Sequence, residues 1–242
     1  MRHWTVAFGL FALCTPVLAQ GIEGVILERF HAEPNATDGS VLVTYRVHLD
    51  LAAGYQLQLV YGDDAHNLRF ASTSEFLNTT NSVEYGDRIA EVPSEVAERD
   101  SWFTLGMVGS DHWGVPRELD TDGSLNQKKR KDPVRTDGLM PASSSREVVN
   151  FNFLPGYLGD IRGNIIETNN GGWAVLGGMK GATEENTILI AQLTTAGELS
   201  FEINVQLATP DGSIEKYVAR NAREGEIIFA PLCQGGTCTP RH

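Results

Sequence analysis

An acidic turn carries the residues of this sequence best suited to hold a metal ion. Asp120 and Asp122 stand two residues apart, directly before Gly123. Calcium takes about six to eight oxygen ligands, and extracellular calcium is concentrated enough to fill weak sites. Asp120 and Asp122 are therefore a candidate calcium site, but Asp-Gly turns usually cap their own backbone, so no cofactor is predicted beyond this candidate. Asp63 and Asp64 form a second candidate pair.

A candidate ligand site combines a carboxylate, an imidazole and an indole at Asp111, His112 and Trp113. An aromatic ring beside polar groups can stack on a sugar, although Trp113 could instead cover the edge of a core. The histidines show no His-x-His or His-Glu-x-x-His spacing, so the sequence contains no zinc motif. His48 is predicted to face solvent, on the polar side of a strand.

Motifs of nucleophilic catalysis and phosphate binding are missing from the sequence. No Gly-x-Ser-x-Gly elbow occurs, and the glycines of residues 177–181 favour a β-turn because no helical pattern follows them. A pair of carboxylates that meets only in space, as in glycosidases, leaves no sequence signature. The chain is therefore predicted to be non-enzymatic, with a carbohydrate-active enzyme that uses loop carboxylates as the alternative.

Residues 1–19 have the pattern of a cleaved export signal. Arg2 precedes an apolar run, Pro16 ends it, and Ala19 supplies the small residue before Gln20. The run is roughly half of the ~20 residues that a membrane-spanning helix needs. We expect a secreted, periplasmic or cell-surface protein. A lipid-anchored Cys14 is the alternative, which the large Leu13 before it disfavours.

Export determines how the remaining cysteines are interpreted. Cys233 and Cys238 stay in the mature chain after Cys14 is removed with the signal. A cysteine pair in an oxidising compartment is expected to form a disulfide, with a redox or metal-binding pair as the alternative.

The charge of the chain restricts its partners. The formal net charge is −12, and this acidic balance disfavours nucleic acids and anionic membranes. The basic run at residues 128–131 is predicted to be a solvated loop rather than a phosphate patch. A glycan or an envelope protein is the expected partner, and no segment after residue 19 is apolar enough to span a membrane.

Alternating apolar residues indicate an antiparallel β-sandwich. Residues 41–51 and 55–61 alternate and are joined by Gly54, which predicts a hairpin; residues 188–191 and 199–207 predict another. One-sided apolar strands need a facing layer, which two packed sheets provide. A flattened β-barrel and two small β subdomains are the alternatives. Residues 90–99 are predicted to form a short helix.

The organisation predicted after the signal has four segments. Residues 20–116 and 148–232 are two β-rich halves, residues 117–147 are a long polar loop or linker, and residues 233–242 are a disulfide-bearing tail.

Residues 43–57, 168–178 and 190–195 resemble an uncharacterised β-rich module of secreted and surface proteins from gliding-type bacteria. The resemblance covers scattered blocks of residues 22–210. It implies an envelope or extracellular location and supplies no reaction. The overall expectation is an exported β-sandwich that serves as a binding or structural module.

Overall fold

The structure is a computed structural model that describes residues 20–79, 83–109, 112–120, 139–141, 147–152 and 163–238. The predicted signal and most of the predicted polar loop, including the basic run at residues 128–131, lie outside these ranges. Within them the chain is all-β and built mainly of antiparallel strands, as the alternation predicts.

The described residues form the following β-strands: β1 (Ile22–Pro34), β2 (Val41–Leu51), β3 (Gln56–Gly62), β4 (Leu68–Ser72), β5 (Trp102–Phe103), β6 (His112–Gly114), β7 (Leu139–Pro141), β8 (Val149–Phe151), β9 (Ile165–Thr168), β10 (Gly171–Met179), β11 (Thr187–Thr195), β12 (Leu199–Glu202), β13 (Asn204–Ala208), β14 (Ile214–Val218), β15 (Glu226–Ile228) and β16 (Cys233–Gln234). Helical structure is short: one α-helical turn (Ser94–Ala97) and the 3₁₀ segments Gly86–Glu91, Arg117–Leu119, Ala230–Leu232 and Gly235–Cys238. The segments Gly86–Glu91 and Ser94–Ala97 include parts of the predicted helix at residues 90–99.

Three larger sheets and one two-stranded ribbon result. The first sheet has the strand order β1-β2-β11-β5, the six-stranded sheet has the order β15-β14-β13-β3-β10-β8, and the third sheet has the order β16-β12-β4-β9. Strands β6 and β7 form the ribbon, and among the described strand–strand pairs only β14–β15 is parallel; the isolated bridge between Tyr85 and Phe103 is parallel as well. Each larger sheet takes strands from both predicted halves of the chain.

One apolar core joins the three larger sheets. Leu49 of the first sheet, Trp173 of the six-stranded sheet and Phe201 of the third are all buried in it. Aromatic rings meet at its centre, where the centroids of Phe103 and Trp173 lie 4.6 Å apart. The indole N–H of Trp173 donates to the carbonyl of Thr104 (2.8 Å), so its buried polar atom is satisfied. The facing sheets bury the apolar sides of their strands, as in a sandwich.

Both predicted hairpins are wrong. Strand β2 pairs with β1 and β11, whereas β3 pairs with β10 and β13. Strand β11 likewise pairs with β2 and β5, whereas β12 pairs with β4 and β16. Each short connection therefore carries the chain from one sheet to another. An alternating pattern identifies the apolar side of each strand, but strands with facing apolar sides satisfy it as well as strands that lie side by side.

The first sheet is buried on both faces. Its second face is covered by a smaller apolar cluster that includes Ile89, Val92, Trp102 and Val108 and packs on Leu189 of β11. The covering residues come from the chain between β4 and β7. On this face of β2, the polar side chains of Thr44, Arg46 and His48 are buried.

Candidate functional site

The predicted calcium residues are not both described. Asp122 lies outside the described residues, and Asp120 follows the 3₁₀ turn Arg117–Leu119, with its N–H donating to the carbonyl of Arg117 (3.2 Å). Across the described ranges, no group of three or more His, Cys, Asp and Glu side chains is arranged to hold a metal ion. The calcium site stays a prediction.

Of the three residues in the predicted ligand site, the structure describes His112 and Trp113, and Asp111 lies outside the described residues. His112 is buried in β6 and pairs with Pro141 of β7. Trp113 is half-buried, packs against the main core and lies over Gly106, whose added Cβ would meet the indole ring. This packing is the core-edge role that was the alternative for Trp113.

Asp63 and Asp64 take part in local interactions. One carboxylate oxygen of Asp63 accepts hydrogen bonds from the N–H groups of Ala65 and His66, both at 2.9 Å. Asp64 is exposed and pairs with Arg223 at 3.0 Å. The Asp63 contacts cap the loop between β3 and β4, as short acidic side chains commonly do.

A buried His–Glu pair lies beside this loop. Nε2 of His66 is 2.8 Å from Oε2 of Glu226, and the same oxygen accepts the N–H of Arg223 at 2.7 Å. The pair links the β3–β4 loop to the start of β15. Burial, followed by the negative charges of Glu226 and Asp63, raises the pKa of the nearby Tyr61 hydroxyl. Tyr61 is therefore a neutral phenol at the end of the six-stranded sheet.

The covered face of the first sheet holds a polar layer that the sequence predicts to be solvated. Arg46 is buried, its Nε donates to Oε1 of Gln192 (3.0 Å), and its guanidinium lies 3.7 Å from the ring centroid of Phe30. The side-chain amide of Gln192 also donates to the carbonyls of Ala97 and Asp100, both at 2.9 Å. Gln192 therefore connects the first sheet through hydrogen bonds to the segment that covers it.

His48 belongs to the same layer, and the prediction that it faces solvent is wrong. Its exposed fraction is 0%. Its Nε2 lies 3.3 Å from Oε2 of Glu28, and an ionised carboxylate only accepts, so the neutral ring carries its proton on Nε2; Nδ1 has no hydrogen-bond partner among the described residues. Burial lowers the pKa of His48. Burial alone would raise the pKa of Glu28, but hydrogen bonds from His48 and from the Arg117 N–H outweigh it, so that pKa is lowered.

The outer face of the six-stranded sheet, by contrast, presents exposed apolar side chains. Val149 and Phe151 of β8 are 41% and 39% exposed. Their cross-strand partners on β10 are Ala174 and Gly172. Residues that are directly opposite in an antiparallel pair share a face. The small partners leave the sides of Val149 and Phe151 uncovered.

A bulge in β10 adds a further apolar side chain. Ala174 pairs with Leu59, and the next pair joins Met179 to Leu57, so four residues of β10 stand opposite one residue of β3. Leu176 lies in this bulge and is 80% exposed. Bulges commonly re-aim a side chain next to a site.

The bulge depends on close approach of its backbone to β3. Gly178 has φ +72°, and an added Cβ would lie 3.1 Å from Cγ of Gln58. Gln58 in turn accepts a hydrogen bond on Oε1 from Nε2 of Gln206 (2.9 Å). A glycine is needed here for both its dihedral and its missing side chain.

These elements place an amide pair beside exposed apolar groups on one sheet. We call this surface the platform; it comprises Gln58, Val149, Phe151, Leu176 and Gln206. The single bond between the glutamines uses one donor and one acceptor, which leaves further amide groups to meet a ligand. Binding sites combine apolar contact area with a few such polar groups. Outside the platform, on the neighbouring strand β14, Lys216 pairs with Gln206, and its Nζ lies 6.0 Å from the Tyr61 ring centroid.

Sequence reasoning did not find the platform. The signal available was Gly177 followed by Gly178 inside a strand pattern, which is typical of a bulge. The β-turn predicted for the glycines of residues 177–181 is wrong at Gly177 and Gly178, which lie inside β10 and have positive φ in its bulge.

The cysteine prediction is confirmed at the level of geometry. Cys233 and Cys238 lie at disulfide distance, with their Cα atoms 5.6 Å apart. Cys233 belongs to β16 at the edge of the third sheet, where it pairs with Glu202 of β12.

Comparison of the chain with protein-family models, curated proteins and solved structures finds no match. The resemblance to a module of gliding-type bacteria therefore stays a prediction. Among the described residues, none of the helices has the length and apolar character needed to cross a membrane.

Proposed function

We propose that this chain is an exported, non-enzymatic binding protein whose platform holds a neutral glycan. The export pattern of residues 1–19 supports the location. The observation that carries the proposed activity is the Gln58–Gln206 amide pair beside the exposed Leu176 on the outer face of the six-stranded sheet.

The chemistry of the platform favours a sugar over other ligands. Sugar rings offer hydroxyls that both donate and accept hydrogen bonds, and apolar C–H faces that pack on side chains such as Phe151. The side-chain amides of Gln58 and Gln206 provide both donors and acceptors. None of the five platform residues is charged, and the formal net charge of −12 disfavours anionic ligands.

The experiment uses the full chain, expressed with residues 1–19 in a bacterial host and recovered outside the cytoplasm. The protein is screened against insoluble polysaccharides and a glycan array, and each polysaccharide is also assayed for released reducing sugar. We expect retention on at least one neutral glycan and no sugar release. Sugar release would establish the enzymatic alternative. Failure to bind any glycan, together with capture of an envelope protein or self-assembly, would overturn the proposed ligand.

A further inference from the structure

We propose that Gln20 becomes the N-terminal residue and closes into a pyroglutamyl ring, so that the mature protein has a neutral, blocked N-terminus. The inference rests on the proposed export, because removal of residues 1–19 creates the free α-amine at Gln20. It adds a covalent modification that the binding proposal does not require.

The reaction needs no partner beyond Gln20 itself. The α-amine attacks Cδ of its own side chain, a new N–Cδ bond forms, the bond from Cδ to the side-chain nitrogen breaks, and ammonia leaves. The product is a five-membered lactam, and no oxidant or reductant is consumed. The modification removes the positive charge of the N-terminus.

The structure leaves Gln20 free to react. Gln20 is exposed, and its side chain forms no hydrogen bond with the described part of the chain. Its amide and amine can therefore approach each other without breaking a folded contact.

The fold is anchored immediately after this residue. Gly21 is buried; its N–H donates to the Tyr217 hydroxyl at 2.7 Å, and its carbonyl accepts the N–H of Ala52 at 3.0 Å. A Cβ at Gly21 would collide with the ring of Tyr55. The described chain thus changes from exposed to buried between Gln20 and Gly21, one residue after the cleavage predicted between Ala19 and Gln20.

The anchor does not depend on a charged amine. The Tyr217 hydroxyl that accepts from Gly21 donates in turn to Oε2 of Glu215 at 2.5 Å. This chain of hydrogen bonds uses the amide N–H of Gly21, which cyclisation of Gln20 leaves unchanged. The lactam ring can therefore replace the open residue without loss of the first folded contact.

The test is intact-mass analysis and N-terminal peptide mapping of the exported full-chain product after prolonged incubation at neutral pH. We expect a first peptide that begins at residue 20, is lighter by one ammonia, resists Edman degradation and loses its first residue to pyroglutamyl peptidase. Gln20→Ala is the matched control. Alanine has no side-chain amide for the α-amine to attack, so that peptide should keep its amine and its full mass.

The possible failures are distinguishable. A peptide that begins at residue 20 with a free α-amine would overturn the modification and leave the export proposal supported. A product that retains residues 1–19 would overturn the export proposal, and the modification with it.

Discussion

Two glutamines on neighbouring sheets show how differently one residue type is used in this molecule. Gln192 lies in the covered face of the first sheet, where it bonds Arg46 and the carbonyls of Ala97 and Asp100. Gln206 lies on the uncovered face of the six-stranded sheet, bonded to Gln58. The difference arises from the cover: residues between β4 and β7 pack over one sheet, and no comparable cluster of buried residues covers the platform in the described structure.

We expect the two glutamines to contribute to different properties, Gln192 to stability and Gln206 to binding. Buried polar groups are costly when a partner is removed, whereas partly exposed amides can exchange their partners for water. Substitutions in the covered layer should therefore lower the free energy of unfolding more than substitutions on the platform, and platform substitutions should mainly lower affinity. The following predictions test this division, beginning with the largest expected effect on stability.

Gln192→Ala should lower the free energy of unfolding by about 3 kcal/mol, because it removes the acceptor of the buried Arg46 Nε–H and both hydrogen bonds from Gln192 to the covering segment. Urea unfolding monitored by tryptophan fluorescence measures the change. A loss below ~1 kcal/mol would show that water reaches this layer and replaces the lost hydrogen bonds.

Low pH should destabilise the covered layer through His48. Its folded pKa is lowered, so the unfolded chain, with a pKa near 6.5, takes up the proton first. Stability is therefore full above about pH 6.5 and falls below it, by at most about 1.4 kcal/mol per pH unit. The lowered pKa of Glu28 adds a further loss below about pH 4.5. Urea midpoints of the wild type and His48→Gln at several pH values measure this slope. An identical slope in both proteins would contradict it.

Gly178→Ala should cost about 1–2 kcal/mol, since alanine is strained at φ +72° and its Cβ would crowd Gln58. Gly212→Ala is the matched control. Gly212 has φ +87°, but no atom lies within 4 Å of an added Cβ, so only the backbone strain remains. Thermal unfolding should therefore rank Gly178→Ala as the more destabilising change. Equal losses would show that the bulge is not tightly packed on β3.

Gln206→Ala should change the free energy of unfolding by less than ~0.5 kcal/mol, because its amide is only partly buried. The same urea assay used for Gln192→Ala gives the direct contrast. A loss as large as that of Gln192→Ala would remove the distinction between the two regions.

The sequence predicts which side of each strand is apolar better than it predicts which strands pair with each other. The alternation in β2 correctly separates Val47 and Leu49 from Arg46 and His48. It does not say that a later segment will cover the polar side, because that depends on the tertiary position of residues 83–108. The same pattern cannot distinguish pairing within a sheet from packing between sheets, so both hairpin predictions are wrong.

The candidate site was harder to predict than the fold. Local spacing directed attention to Asp120, His112 and Trp113, whereas the platform joins residues 58, 149, 151, 176 and 206, which meet only through strand order. Exposed apolar residues such as Leu176 look like core residues in a sequence. Only the glycines after Leu176 indicated that the strand is interrupted there.

The most direct test of the account is a titration of the glycan found in the screen against Leu176→Ser/Gln206→Ala. Val41→Ser is the control, since Val41 is also exposed and apolar but lies on the first sheet. The account predicts at least about tenfold weaker binding for the platform variant, or ~1.4 kcal/mol, with the control unchanged. Wild-type affinity in a correctly folded platform variant would contradict it.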